Sequence, residues 1–243
     1  MRRLGQHFLE DPAILGRIVE ALDPLPGETV LEIGPGRGSL TTALLARGLK
    51  VIAIEKDRAR AAALQRDNLT VIPGDALRLA WPAAAKIVGN IPYYITSPLI
   101  DKALTPPVPE RVVLLVQAEV ADRLAARPGG KEYGALSVGV QVLCRVEKLF
   151  SVAPGSFKPP PKVRSALVRL TPLPQPLVEP EEIRELRTFV TACFSRRRKQ
   201  LRNVVPGLSG AQLEALGIDP TLRPERLAPE TFVRLLHHLS GQG

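Results

Sequence analysis

The chain has 243 residues, 45% of them apolar, enough for one large domain or for a medium domain with a smaller companion, and for a full core. No apolar run approaches the roughly 18 residues that would cross a bilayer, and the start MRRLGQHFLEDP has no apolar signal-peptide stretch. Cys144 and Cys193 stand isolated, too few for a disulfide framework or a zinc site, so the cytoplasm is the expected compartment. A formal net charge of +9 suits a polyanionic partner, but it also suits a merely soluble, basic surface.

Asp11-Pro12 predicts an N-cap and a proline at the first helical position, and Ile14, Leu15, Ile18, Val19 and Leu22 continue at helical spacing. Thr29 to Ile33 reads as a strand, followed by glycines and a helix to about Arg47 that Gly48 closes. Val51 to Ile54 is a buried strand ending in Glu55. A helix from Asp57 to Gln65 and a strand from Leu69 to Ile72 follow. Ile87-Val88 and Val112 to Val116 are two more strands, with a helix near Pro98 to Leu104 between them. This alternation predicts an α/β fold with a parallel sheet covered on both faces. Later strands are expected near 142–152 and 163–170. Thr171 to Pro176 is a proline-rich break, after which only helical patterns remain, around Ile183 to Cys193, Leu213 to Leu216 and Phe232 to Leu239. The predicted domains are therefore 1–172 and 177–243.

Glu32-Ile33-Gly34-Pro35-Gly36-Arg37-Gly38 lies between a strand and a helix, where glycines let the backbone approach a ligand. Glu55 ends the next strand about 20 residues further on, where a carboxylate can accept the two hydroxyls of a ribose. The loop lacks the Gly-Lys-Ser/Thr ending of a P-loop, and Ser39 stands where a dinucleotide fingerprint needs its third glycine. Its E-x-G-x-G-x-G spacing resembles the first motif of S-adenosylmethionine-dependent methyltransferases. Asp75, in Gly74-Asp75-Ala76-Leu77, is either an Asx-turn or an acceptor for an adenine amino group. Its place at the same carboxyl edge as Gly34 and Glu55 favours the second reading, since ligands bind at that edge in open α/β sheets.

Asn90 ends a fourth strand at this edge, in Gly89-Asn90-Ile91-Pro92-Tyr93-Tyr94. Alone, the stretch could be a β-turn with a packed tyrosine. Behind the other three strand ends it acquires a chemical meaning. The lone pair of an adenine N6 is delocalised into the ring. Acceptors aimed at its N–H bonds favour the pyramidal form and free that pair. Asn90's amide oxygen and the main-chain carbonyl of Ile91 or Pro92 can supply them. Pro92 stiffens the turn and Tyr93 offers a stacking face. Such catalysis needs positioning and preset dipoles, with no metal and no covalent nucleophile.

Asn-Ile/Leu-Pro-Tyr is the fourth motif of N6-adenine methyltransferases, and the whole chain resembles the ribosomal RNA adenine dimethyltransferases. The segments that carry the resemblance are Gly5-Gln6-His7-Phe8-Leu9, Val30 to Gly36, Gly74 to Leu77, Asn90 to Tyr93, Tyr133 to Val138, Phe157 to Val163 and Arg196 to Asn203. The resemblance implies a Rossmann-like methyltransferase sheet with a small C-terminal helical domain, S-adenosylmethionine as cofactor, and ribosomal RNA as substrate. It places cofactor contacts on His7, Leu9, Gly34, Gly36, Glu55, Asp75 and Asn90. The family often has Asn where His7 stands, which leaves its contact open between ring nitrogen and backbone. It places Phe157 on the target adenine opposite Tyr93; from the residues alone Phe157 could equally be a core side chain before a proline turn.

Arg196, Arg197, Arg198, Lys199 and Arg202 form a basic run. Such a run is usually a solvated helix face, but in a domain appended to an RNA enzyme it also fits phosphate contact, which positions RNA without reading bases. The target adenine must be unpaired or flipped. The expected activity is dimethylation of two adjacent adenosines in the 3′-terminal hairpin loop of small-subunit (16S) rRNA, by a monomer acting on a small-subunit precursor. The alternatives are a macrolide-resistance enzyme acting on large-subunit (23S) rRNA, and a nucleic-acid-binding factor of the same fold that does not methylate.

Overall fold

The structure, a computed structural model, describes residues 7–196 and 198–241. Gly5, Gln6 and Arg197 lie outside the described residues. In chain order the elements are β1 (Phe8–Leu9), α1 (Pro12–Leu22), β2 (Thr29–Ile33), α2 (Ser39–Ala46), β3 (Lys50–Glu55), α3 (Arg58–Ala63), β4 (Leu69–Pro73), β5 (Lys86–Asn90), α4 (Thr96–Ala103), β6 (Arg111–Gln117), α5 (Ala118–Ala125), α6 (Ala135–Gln141), β7 (Cys144–Val152), β8 (Phe157–Lys158), β9 (Ser165–Pro172), α7 (Ile183–Phe194), α8 (Gly210–Ala215) and α9 (Pro229–Ser240). None of the described helices is long and apolar enough to cross a membrane.

The seven-stranded sheet has the order β4-β3-β2-β5-β6-β9-β7. Strands β2 to β6 are mutually parallel, and β9 runs antiparallel to β6. The parallel strands are short runs of Val, Ile and Leu because both faces are covered; in β2, Val30 to Ile33 are all buried. Local signals place the helices. Asp11 caps α1 by accepting from the backbone N–H of Ala13 and Ile14. Asp57 caps α3 in the same way, and α3 ends at Ala63, short of the expected Gln65. From α1, Leu15, Ile18, Val19 and Leu22 enter a core shared with Val30, Leu44, Val51, Val88 and Val113.

The chain packs as two compact units. One runs to Ala121 and resumes at Val146–Pro172; the other is Asp122–Arg145 together with the chain from Leu173 onward. This corrects the division at 172/177 in one respect. Residues 122–145, which the sequence pattern left inside the first domain, belong with the C-terminal helices. The reason is local packing. Buried Tyr133 donates its hydroxyl to the carbonyl of Leu227 at 3.0 Å, and Gly129 N–H donates to the carbonyl of Glu225. Two of the segments that carried the family resemblance, those at Tyr133 and Arg196, thus serve this second unit.

Candidate active site

Strand order reverses between β2 and β5, and the chain leaves both at the same edge, which is the topological switch point where open α/β sheets bind ligands. Here β2 and β5 lie so close that a Cβ on Gly89 would stand 2.8 Å from the carbonyl oxygen of Ile33. The edge opens into a cleft with about 1140 Å³ of empty space, counting the part open to solvent. Gly34, Gly36, Glu55, Asp75, Asn90, Pro92 and Tyr93 all line it, together with His7 and Leu9.

The glycine loop takes its shape from left-handed backbone at Gly34 (φ 70°) and Gly36 (φ 58°), a region that side chains disfavour. Gly36 has a second constraint: a Cβ there would lie 2.8 Å from the ring of Phe8. That ring reaches the loop because β1 pairs antiparallel with β8, with Phe8 opposite Lys158 and Leu9 opposite Phe157. The Arg37 and Arg60 guanidinium groups sit 4.6 and 5.1 Å from the ring centre. Phe8 was not among the sequence-derived contacts; only its place in the Gly5 to Leu9 segment pointed to it.

Three carboxylates face the cleft. Glu55 is 1% exposed. Its Oε2 accepts from Gly36 N–H at 3.0 Å and its Oε1 from Asp57 N–H at 2.8 Å, so each oxygen keeps a further lone pair for a ligand. Asp75 accepts from Leu77 N–H at 3.0 Å and pairs with Lys56 at 2.9 Å; the Lys56 contact, then the Leu77 bond, hold its carboxyl below the usual carboxylate range. Glu32 accepts from the Thr41 hydroxyl at 2.6 Å. Burial, opposed by that bond and reinforced by neighbouring Glu55, pushes its pKa up to about 7. Glu32 stood in the quoted motif without an assigned role; its signal was its place two residues before the first loop glycine.

Asn90 is oriented by its neighbour. Its Nδ2 donates to the main-chain carbonyl of His7 at 2.9 Å. A carbonyl can only accept, so the nitrogen must face His7, and Oδ1 is the end left without a partner among the described residues. The carbonyl of Pro92 accepts from Ile95 N–H at 3.1 Å and closes the turn, which makes the Ile91 carbonyl the better second acceptor. Tyr93 meets Ser165 Oγ through its hydroxyl at 2.8 Å, and its ring lies 6.2 Å from the His7 ring at 27° between planes. His7 itself donates from Nδ1 to the carbonyl of Pro159 at 2.8 Å. Its backbone therefore serves Asn90, and its ring serves the wall of the cleft.

Two expectations change. Phe157 is 2% exposed, packs in the hydrophobic core and does not line the cleft. It points inward because it pairs with buried Leu9 while Lys158 takes the outer side, so in this structure it offers no face to a base. Of the basic run, Arg196, Arg198, Lys199 and Arg202 are exposed, yet they are not a helix face. They follow the end of α7, in a turn and a short 3-10 helix at Leu201–Asn203. None forms an ion pair among the described residues. A structural role is also open to them, since cations just past a helix C-terminus favour its dipole.

Arg37 and Lys56 line the cleft too, paired with Glu10 and Asp75, and otherwise it offers mainly acceptors: three carboxylates and the Asn90 Oδ1, in a protein whose net charge is +9. A polyphosphate fits such a lining poorly. S-adenosylmethionine fits it, since it carries a sulfonium, an ammonium, two ribose hydroxyls and an adenine amino group.

Comparison with known proteins agrees. The sequence model of the family described as ribosomal RNA adenine dimethylase matches residues 1–240. A protein of Pseudomonas aeruginosa named ribosomal RNA small subunit methyltransferase A is 43% identical, over 98% of this chain and 94% of that protein. Its namesake in Pseudomonas putida is 44% identical, over 99% and 95%. Among solved structures, a dimethyladenosine transferase from Plasmodium falciparum superposes with a TM-score of 0.84 at 32% identity, covering 98% of both chains. The 23S rRNA methyltransferase ErmE superposes at 0.76 and 30% identity, covering 96% of this chain and 99% of its own.

Proposed function

Because the chain belongs to the ribosomal RNA adenine dimethylase family, we propose that it dimethylates N6 of two adjacent adenosines in the 3′-terminal hairpin loop of small-subunit (16S) rRNA. It is an S-adenosylmethionine-dependent rRNA adenine dimethyltransferase. The choice of subunit is supported by the names of the relatives at 43 and 44% identity, against 30% for the large-subunit enzyme. The observation that carries the chemistry is the free Oδ1 of Asn90 at the switch point.

S-adenosylmethionine, when bound, supplies an electrophilic methyl group. The chain's own residues do the rest. Glu55 accepts ribose hydroxyls with its remaining lone pairs, and Asp75 accepts from the adenine amino group in the same way. Gly34, Gly36 and Leu9 shape the floor and wall. Glu32 is held in place by the Thr41 hydroxyl, and its burial raises its pKa to about 7. Tyr93 stacks on the target adenine. Asn90 Oδ1 and the Ile91 carbonyl accept its two N6–H bonds and localise the nitrogen lone pair, a preset electrostatic arrangement that costs no reorganisation during transfer.

The helical unit supplies phosphate contacts through Arg196, Arg198, Lys199 and Arg202, and the enzyme works as a cytoplasmic monomer on a small-subunit precursor. The test is incubation with undermethylated small and large subunits and labelled S-adenosylmethionine, followed by mapping of dimethyladenosine. Label on the two adjacent small-subunit adenosines is expected. Label confined to large-subunit RNA would replace the proposed target, and binding without label would point to an assembly factor.

A further inference from the structure

The segment from Lys158 to Ser165 is tied to the cleft at both ends. At one end β8 pairs with β1, and the Pro159 carbonyl accepts from His7 at 2.8 Å; at the other, Ser165 Oγ meets the Tyr93 hydroxyl at 2.8 Å. Pro159, Pro160 and Pro161 restrict the backbone between these anchors. Lys162, Val163 and Arg164 are exposed, Val163 at 45%. Lys158 is paired with Glu10 at 2.9 Å, but the side chains of Lys162 and Arg164 have no ion pair or hydrogen bond among the described residues. Arg164 directly precedes Ser165, so its Cα lies about 3.8 Å from that of the residue that anchors Tyr93.

Two unpaired cations on a braced loop contribute little to the fold. A strand that presents an unpaired adenine to Tyr93 must lay its backbone against the rim of the cleft, because the carboxylates inside repel phosphate. We propose that Lys162 and Arg164 form a phosphate clamp for the nucleotides flanking the target adenosine. The proposal rests on the reading that the cleft methylates an RNA base, and it adds the surface that holds the strand while the base is turned in.

The test is the double variant Lys162→Ala/Arg164→Ala beside the wild type. RNA binding is measured at several salt concentrations on a small-subunit 3′-terminal hairpin and on a large-subunit fragment, with methylation of each scored in parallel. Removing two cations from single-strand phosphates should make the log–log salt slope shallower by about 1.4, at about 0.7 per phosphate, and raise the KM for RNA. The melting point and S-adenosylmethionine affinity should match the wild type, and the charge-preserving pair Lys162→Arg/Arg164→Lys should keep the wild-type slope. An unchanged slope in the alanine variant overturns the clamp, and so does an equal loss in the charge-preserving variant. Wild-type enzyme that methylates only the large-subunit fragment removes the small-subunit reading, while the slope on that fragment still decides the clamp. Wild-type enzyme that methylates neither RNA removes both.

Discussion

The two ends of the parallel sheet bury charge in opposite ways. At the amino end, Lys86 is 4% exposed and spends all three ammonium hydrogens inside the protein: one on the carbonyl of Asp23 at 2.8 Å, and two on the Glu28 carboxylate at 3.0 and 2.7 Å. At the carboxyl end, Glu55 is as deeply buried, but each oxygen takes only one backbone N–H. Asn90 there is held by its nitrogen, and its oxygen has no partner among the described residues. A buried polar group that is fully satisfied belongs to the fold. One that is oriented by the protein yet keeps an open acceptor is prepared for a ligand.

Lys86→Met gives the sharpest contrast. Removing one partner of a buried ion pair costs about 3–5 kcal/mol, so urea unfolding should show a large loss of stability. Methyl transfer per folded molecule should stay at the wild-type level. Loss of activity without loss of stability would erase the distinction between the two ends.

The second test is a pH titration of stability without ligand. Glu32 has a folded pKa raised from 4.5 to about 7 by burial, the Thr41 bond opposing and Glu55 adding. The folded state therefore holds a proton that the unfolded state has released, and stability falls as pH rises from about 4.5 to about 7. Over that window the loss approaches about 3 kcal/mol, at about 1.4 kcal/mol per pKa unit. Glu32→Gln should remove this component. A variant that keeps the wild-type pH dependence would show that Glu32 is not the source.

Glu55→Ala should weaken S-adenosylmethionine binding at least tenfold by calorimetry, since hydrogen bonds to a charged group contribute about 1.5–3 kcal/mol each. RNA affinity should not change. Equal cofactor affinity in variant and wild type would move the ribose away from the end of β3. The smallest effect is expected in the second unit. Replacing Arg196, Arg198 and Arg202 with Ala should flatten the salt dependence of RNA binding by about 0.7 for each phosphate left without its cation. A falling melting point with an unchanged slope would instead assign these arginines to the end of α7.

How far the sequence alone leads differs along the chain for physical reasons. The strand ends at Gly34, Glu55, Asp75 and Asn90 were legible because each is announced locally, by an apolar run that stops at a polar or glycine residue. The alternation of strands and helices then forces them to one edge. The two-residue strands β1 and β8 were not legible, because a pair so short has no periodicity and exists only through long-range pairing. The same pairing settled Phe157, for which local pattern allowed either a core or a stacking role. Neither the carbonyl of His7 behind Asn90 nor the Ser165 hydroxyl behind Tyr93 could be read from spacing. The segment 122–145 was assigned to the wrong unit because the proline-rich break is visible in composition, whereas a mid-chain excursion into another core is not.

The proposed methyl transfer depends most on the acceptor oxygen of Asn90. The direct measurement is the single-turnover rate of methyl transfer by Asn90→Ala at saturating S-adenosylmethionine and RNA, with a melting curve alongside. Removing one preset hydrogen-bonding group from a transition state costs about 2.7–4 kcal/mol in comparable sites, so the rate should fall by roughly 100- to 1000-fold while the melting point barely moves. A rate within a few-fold of wild type, in a variant that still binds both ligands, would contradict the central claim that this oxygen activates the target nitrogen.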